Sequence, residues 1–232
     1  MSPKLSFVMP VHNAVAWIGE TIQSILMQTE KEIELIIVDD CSTDGTSEFL
    51  DDWASKFPNV KIIHNEKNLG AGPSRNIGTE AASAPIIAIT DADDINADER
   101  AKLILKHFEL NPKSELVTFP YCSIGYFNER VEDFMGEPFN HEQYLKDGTV
   151  NYYCNPSAAV KKESLVAVGG FGKETLEGTD KKTDDHIFID KWVKSGRKID
   201  YQGGAFVLFH RNNPDSMMTK IRGWKPEWVA KK

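Results

Sequence analysis

The chain has 232 residues, with 27 Lys and Arg against 35 Asp and Glu, a formal charge of −8. Hydrophobic residues make up 41% and charged residues 27%, which excludes a disordered or fibrous chain, and the acid excess excludes a non-specific nucleic-acid binder, which needs a basic footprint. Cys41, Cys122 and Cys154 are far apart and in no CxxC pair, which excludes a disulfide scaffold and a cysteine zinc site. In chain order, Leu5–Met9 is an apolar run bounded by Pro10 and Asn13, and it predicts a buried strand. Ala16–Met27 carries Ile18, Ile22, Ile25 and Leu26 on one helical stripe. Glu34–Val38 is a second strand, followed by turn residues from Asp39 to Gly45. A helix with Phe49, Leu50, Trp53 and Phe57 inward stops before Pro58, and Val60–His64 is a third strand. Ser74–Ala82 reads as a short helix, Pro85–Thr90 as a strand, Asp98–Leu110 as a helix stopped by Asn111-Pro112, and Glu115–Tyr121 as another strand.

The second half is less regular. Gly125–Thr149 supports no assignment. Asn155–Val160 reads as a strand, Lys161–Val168 as a helix closed by Gly169-Gly170, and Asp184–Ser195 as a helix closed by Gly196. Lys198–Tyr201 and Ala205–Phe209 are short strands. Apolar strands alternating with amphipathic helices predict an α/β fold with a mainly parallel sheet covered on both faces. No repeat or linker interrupts the chain, so one domain is expected. No run approaches the ~20 apolar residues of a membrane span, and Pro10 and His12 interrupt the N-terminal run, so a cytoplasmic protein is expected.

In an open parallel sheet, ligands bind beyond the carboxyl ends of the strands. Pro10-Val11-His12-Asn13, Asp39-Asp40, Asn68-Leu69-Gly70 and Asp91-Ala92-Asp93-Asp94 all fall there. Each alone reads first as an ordinary cap or turn, and it is their joint placement at one edge that points to a site. The sharpest is Asp91-Ala92-Asp93: two carboxylates at the end of a buried strand are costly unless something cationic joins them. A divalent metal held by one or two carboxylates and substrate phosphates answers that need, and a solvated loop capping the next helix is the alternative. Asp39 can accept from a base N–H or a ribose hydroxyl. Arg75, in the first turn of its helix, can clamp a diphosphate or make a surface ion pair. Asp184-Asp185 opens a helix, where acids favour the dipole and a general base can also stand. His210-Arg211 follows the apolar strand Ala205–Phe209, with His210 a candidate metal ligand. The P-loop, nucleophile-elbow and HExxH signatures are absent.

Taken as an ordered set, these residues resemble the inverting glycosyltransferases of family 2, with the GT-A fold: Phe7–Asn13, Ile22–Gln28, Glu34–Thr46, Asn68-Leu69-Gly70 with Ser74–Gly78, Asp91–Asp94, Asn155-Pro156, Gly169–Phe171 and Thr183–Asp185. The resemblance runs from Leu5 to about Asn213. It implies a nucleotide-sugar-binding half over 1–122, an acceptor half over 123–215 and a tail over 216–232. Pro10, Val11 and Asn13 would line the nucleotide pocket, with Ala92 in its wall. Asp39 would contact the base, Arg75 the base or phosphates, and Asp91 the ribose side. Asp93 would bind Mn²⁺ or Mg²⁺, with His210 as a further ligand, and His210-Arg211 would lie in a diphosphate-contacting segment. Asp185 would be the base, with Asp184 its substitute.

The chain departs from the pattern at His12, Cys41 and Asn213, and it lacks the QxxRW motif of processive members. The implied activity is a single, metal-dependent transfer from a nucleoside-diphosphate sugar, with UDP-sugar first, to a glycan or lipid-linked acceptor, without nucleic acid. A sugar nucleotidyltransferase would instead carry a basic Gly-rich loop after the first strand, and an inactive nucleotide-sugar binder would lack Asp93 and Asp185. The tail mixes Trp224 and Trp228 with Lys and Arg, a composition that can rest on a membrane surface, although Gly223 and Pro226 break a continuous helix and favour docking on the domain.

Overall fold

The computed structural model describes residues 2–124, 130–134, 138–148, 155–173, 183–205 and 207–211, with the backbone alone for 130–134. The first half alternates as its periodicity requires: β1 (Leu5–Val11), α1 (Ile18–Leu26), β2 (Ile33–Asp39), α2 (Thr46–Lys56), β3 (Val60–His64), α3 (Ala71–Ala81) and β4 (Ile86–Ile89). After β4 come β5 (Ile95–Asn96), α4 (Arg100–Leu110), β6 (Leu116–Thr118), β7 (Tyr121–Ile124), β8 (Arg130–Phe134) and α5 (His141–Asp147). The described chain ends with β9 (Ala159–Lys161), α6 (Lys162–Ala167), α7 (Asp184–Lys194), β10 (Asp200–Tyr201) and β11 (Leu208–Arg211).

Seven strands form the main sheet in the order β10-β6-β9-β4-β1-β2-β3. All its pairs are parallel except those of β9, which runs antiparallel to β4 and β6. A parallel strand is covered on both faces, and β1 is buried at every residue. Its alternate side chains feed two cores. Phe7 and Met9 join Leu35, Ile37, Ile18, Ile22 and Ile104 on one face. Val8 joins Ile36, Ile87, Ile89, Phe188 and Trp192 on the other. Strand order reverses at β1, whose neighbours are β2 on one side and β4 on the other. The crevice at that reversal is where such sheets bind ligands.

The structure departs from the sequence expectations in definite places. The strand expected over Glu115–Tyr121 is two strands, broken at Phe119-Pro120, and β7 leaves for a second sheet ordered β5-β11-β7-β8. Proline has no N–H for a ladder, which makes this a natural place to change sheets. The strand expected over Ala205–Phe209 is Leu208–Arg211, so His210 and Arg211 lie within a strand rather than beyond it. Residues 155–157 form a 3-10 turn before β9 rather than a strand. Helix α3 starts three residues earlier than expected, because Gly70 turns into it at φ 96°. The segment Gly125–Thr149, unassigned from sequence, contains β8 and α5. Among the described residues no helix is long and apolar enough to cross a membrane.

Candidate active site

Three strand ends meet at the reversal. Val11 of β1 is in register with Asp39 of β2, and Val8 with Ile89 of β4. The first loop carries buried Pro10 and Val11 into exposed His12 and Asn13. Asn13 holds φ 53°, which Asn tolerates, and its Oδ1 accepts from Thr43 N at 2.8 Å while its own N donates to Ser42 Oγ at 2.9 Å. His12 Nδ1 donates to the Asp40 carbonyl at 2.9 Å, tying the first loop to the second.

Asp39 is 1% exposed and turned inward. It accepts from Ser42 N at 3.2 Å, Ser47 Oγ at 2.5 Å and His64 Nδ1 at 2.9 Å. Burial pushes its carboxyl up, but these hydrogen bonds outweigh burial and hold it below its usual value. Asp39 therefore reaches a nucleotide base only by giving up one of these partners. His64 also donates to Asp51 at 3.0 Å, and burial, which lowers its pKa, loses to the bonds with Asp51 and Asp39, so the value is raised above 6.5. A raised histidine stabilises below its unfolded pKa and loses that contribution as pH rises through the folded one. The stability advantage of wild type over His64→Gln is accordingly expected to be full below pH 6.5 and to shrink as the pH rises above it, as urea titrations at several pH values will show.

Asp40, which the sequence offered with Asp39 as a strand-end candidate or as a turn cap, is an anchor. Its oxygens accept from Asn65 Nδ2, Leu69 N and Gly70 N, each at 2.8 Å, and set the start of α3 against β2. Helix α3 then delivers Arg75 to the floor of the crevice. The guanidinium donates through Nη2 to Asp91 at 2.5 Å and through Nη1 to Asp184. Burial works against its charge, and Asp184 and Asp91 more than restore it, so its pKa is raised.

The Asp91–Asp94 loop joins β4 to β5. Ala92 O accepts from Thr21 Oγ1 at 2.9 Å. Asp93 is half-buried, and its carbonyl accepts from Arg211 Nε at 2.9 Å. Asp94, part of the strand-end motif but given no role of its own from sequence, is fully buried, and its Oδ1 accepts from His210 Nδ1 at 2.9 Å and Arg211 N at 3.0 Å. Burial opposes charge on His210, but Asp94, then Asp93 and Asp91, push its pKa up to about 9. Arg211 continues to Glu20 at 2.6 Å, with its guanidinium 4.8 Å from the Trp17 ring. His210 and Arg211 thus brace the acidic loop from behind, a task that only the second sheet makes possible.

Asp184 and Asp185 form the first turn of α7 behind Thr183. Asp184 is 4% exposed and faces Arg75. Asp185 has a side chain 30% exposed, and its Oδ1 accepts from Thr183 Oγ1 and from His186 N at 2.8 Å. Burial raises its pKa, and the bonds with His186 and Thr183 outweigh that and lower it. The structure therefore brings Asp91 and Asp184 onto Arg75, with Asp185 near enough to act on its charge and Asp93 on the same loop as Asp91. Asn213 and the Trp-rich tail lie outside the described residues, as does Cys154, while Cys41 and Cys122 are free thiols.

Comparison with known proteins supplies the class: a glycosyltransferase of the GT-A fold. The chain belongs to glycosyl transferase family 2, whose sequence profile matches residues 6–169. A glycosyltransferase of Haemophilus influenzae is 38% identical over 229 residues, covering 96% of this chain and 86% of that one. The glycosyltransferase GlyG of Streptococcus pneumoniae is 24% identical, covering 95% and 75%. Among solved structures, S. aureus TarS in complex with UDP-GlcNAc superposes with TM-score 0.75 at 21% identity, covering 93% of this chain and 60% of that one. The mannosyltransferase PcManGT from Pyrobaculum calidifontis in complex with GDP-Man and Mn²⁺ gives 0.65 at 20%, covering 89% and 56%. This chain thus spans little more than half of either solved chain, and those likenesses bear on the fold.

Proposed function

We propose that this chain transfers one sugar, with inversion, from a nucleoside-diphosphate sugar, UDP-sugar first, to a hydroxyl of a glycan or lipid-linked acceptor. The observation that carries the reading is the meeting of the Asp91–Asp94 loop and the Asp184-Asp185 helix start on one arginine. Residues 1–122 form the donor half and 123–215 the acceptor half in this reading. Pro10, Val11, Asn13 and Ala92 line the nucleotide pocket, and Asp91 marks its ribose side. Asp39 acts by holding the turn after β2.

The residues present fit a divalent ion. Asp94 Oδ2 is buried with no hydrogen-bond partner among the described residues, beside half-buried Asp93. Among the described residues no three His, Cys, Asp or Glu side chains are placed to hold an ion by themselves. Such a site suits Mg²⁺ or Mn²⁺, which are commonly held by one or two carboxylates plus phosphate oxygens. Asp93 would be the ligand, and His210 could join only after losing the proton that Asp94 and Asp93 hold on it, which a nearby cation favours. When bound, the ion would offset negative charge growing on the leaving diphosphate.

The chain's own part in the chemistry is at Asp185. Its Oδ1 is occupied by Thr183 and His186, which leaves Oδ2 to take the proton of the attacking hydroxyl. The new C–O bond forms as the bond to the diphosphate breaks on the opposite side, and the anomeric centre inverts. Peripheral membrane contact through the tail would bring a lipid-linked acceptor close.

The test is a thermal-shift titration with UDP, GDP and dTDP, each with and without Mn²⁺. Nucleotide at a hundredfold excess over Kd adds ~2.7 kcal/mol of stability. A UDP shift that needs Mn²⁺ and vanishes in Asp93→Ala is expected. Absence of a shift with every nucleoside diphosphate overturns the reading.

A further inference from the structure

We infer that Arg75 is a positioning residue that locks the donor loop to the base-bearing helix, and does not itself contact the donor. The inference rests on the transferase reading of the site. It departs from the diphosphate or base contact that the sequence suggests for this arginine.

Three observations carry it. First, Arg75 is 5% exposed, and its two terminal nitrogens are each committed to a different carboxylate, Asp91 on the loop after β4 and Asp184 on α7. One face of the guanidinium lies 5.6 Å from the Phe171 ring centroid. Only Nε lacks a hydrogen-bond partner among the described residues, and it is buried. A phosphate drawn to Nη1 would compete with Asp184, which is 4% exposed, and breaking so buried a pair is strongly unfavourable.

Second, the surroundings fix the elements that Arg75 bridges. Asn76, the next residue on α3, grips the Phe171 main chain from both sides: its Oδ1 accepts from Phe171 N at 2.8 Å and its Nδ2 donates to Phe171 O at 2.9 Å. Gly72, one turn earlier, leaves so little space that a Cβ there would lie 2.9 Å from Asp184 Cβ. Helix α3, the 170–172 segment and the start of α7 are therefore one packed unit, with Arg75 as its charged centre.

Third, the charges require a bridge. Asp91 and Asp184 would repel each other across the crevice without a cation between them, and Asp185 adds to the same negative field at Arg75. The separation between the loop that holds the donor and the base that deprotonates the acceptor is set by the length of one planar, two-pronged guanidinium. Lysine keeps the charge but presents a compact ammonium that cannot span two carboxylates in this way.

The experiment compares wild type, Arg75→Lys, Asp184→Asn and the double variant. Each is assayed for UDP and GDP binding with Mn²⁺ by calorimetry. Each is also assayed for nucleoside-diphosphate release from UDP-N-acetylglucosamine and GDP-mannose, with water as acceptor, at saturating donor. Both single variants are expected to bind nucleotide within about threefold of wild type and to lose on the order of a hundredfold in kcat, the cost of a misplaced reacting group. The double variant is expected to be no worse than either single one, because both break the same bridge. Arg75→Lys losing nucleotide affinity with kcat at saturation unchanged would overturn the inference, since that is the pattern of a direct donor contact. Multiplying effects in the double variant would overturn it too. Should Arg75→Lys fail to fold, Asp184→Asn decides alone, and unchanged kcat there sinks the inference. Wild type that binds neither nucleotide removes the transferase reading itself.

Discussion

Asp185→Asn is expected to lower transfer by roughly 10²–10⁴-fold, the usual share of a general base, while nucleotide affinity stays near that of wild type. The substitution is nearly isosteric. Asn Oδ1 can still accept from Thr183 Oγ1 and His186 N, so the first turn of α7 keeps its shape. What is lost is the negative charge and the free oxygen on the side chain that remains partly open to the crevice. The lowered pKa of Asp185 means that it is ionised at neutral pH and ready to accept a proton. Asp184 cannot easily substitute, because it is buried and paired with Arg75. Single-turnover transfer alongside calorimetric UDP binding separates the two effects. Transfer at the wild-type rate would move the base to another residue, and loss of nucleotide binding in step with transfer would make Asp185 a donor contact instead.

Gly72→Ala is expected to destabilise the fold by about 3 kcal/mol, the upper end of what overpacking usually costs. Gly72 sits inside the first turn of α3. A Cβ there would overlap the Gly172 carbonyl oxygen and lie 2.9 Å from Asp184 Cβ. The main obstacle is backbone, so no rotamer change relieves it, and α3 must move away from the 172 segment and α7. For a chain of this length the midpoint should fall by roughly 6–12 °C. The same shift drags Arg75 away from Asp184, so activity should fall further than stability alone accounts for at a temperature where the variant is still folded. A melting curve that overlays wild type would show that α3 does not pack against the Gly172 main chain. Gly45→Ala provides the contrast: a Cβ there meets nothing within 4 Å, so only its φ of 93° is strained.

Much of this was present in the sequence, for physical reasons that can be traced to particular residues. Hydrophobic periodicity is local, and β3 runs over Val60–His64 as its pattern required. β1, β2, β4 and α1 lie within two residues of expectation, because a doubly covered strand must be apolar throughout and a half-buried helix must be striped. Strand ends and helix starts carry the polar residues, so Asp39, Asp91 and Asp93 after strands and Asp185 at the start of α7 could be marked as candidates before any coordinates. Helix α4 already started near its acids, but its first turn is held from afar, by Gln28 Oε1 accepting from Ala101 N at 2.8 Å.

Direction and partnership were not local. Asp39 and Asp40 are adjacent and chemically identical, and a sequence cannot say that Asp39 turns inward to His64 while Asp40 holds Leu69 and Gly70, because strand pleat and distant donors decide it. Asp94 stood in the same motif as Asp91 and Asp93 without a role of its own, because the residues that seal it inside the protein, His210 and Arg211, are more than a hundred positions on. Arg75 looked free to meet a phosphate until two carboxylates from separate elements closed on it. Which strand ends come together at the reversal followed from hydrophobic period. Which of their side chains remain free to do chemistry was decided by pairings across 25 to 118 positions of chain, from His64 with Asp39 to Arg211 with Asp93, and such pairings exist only once the sheets have formed.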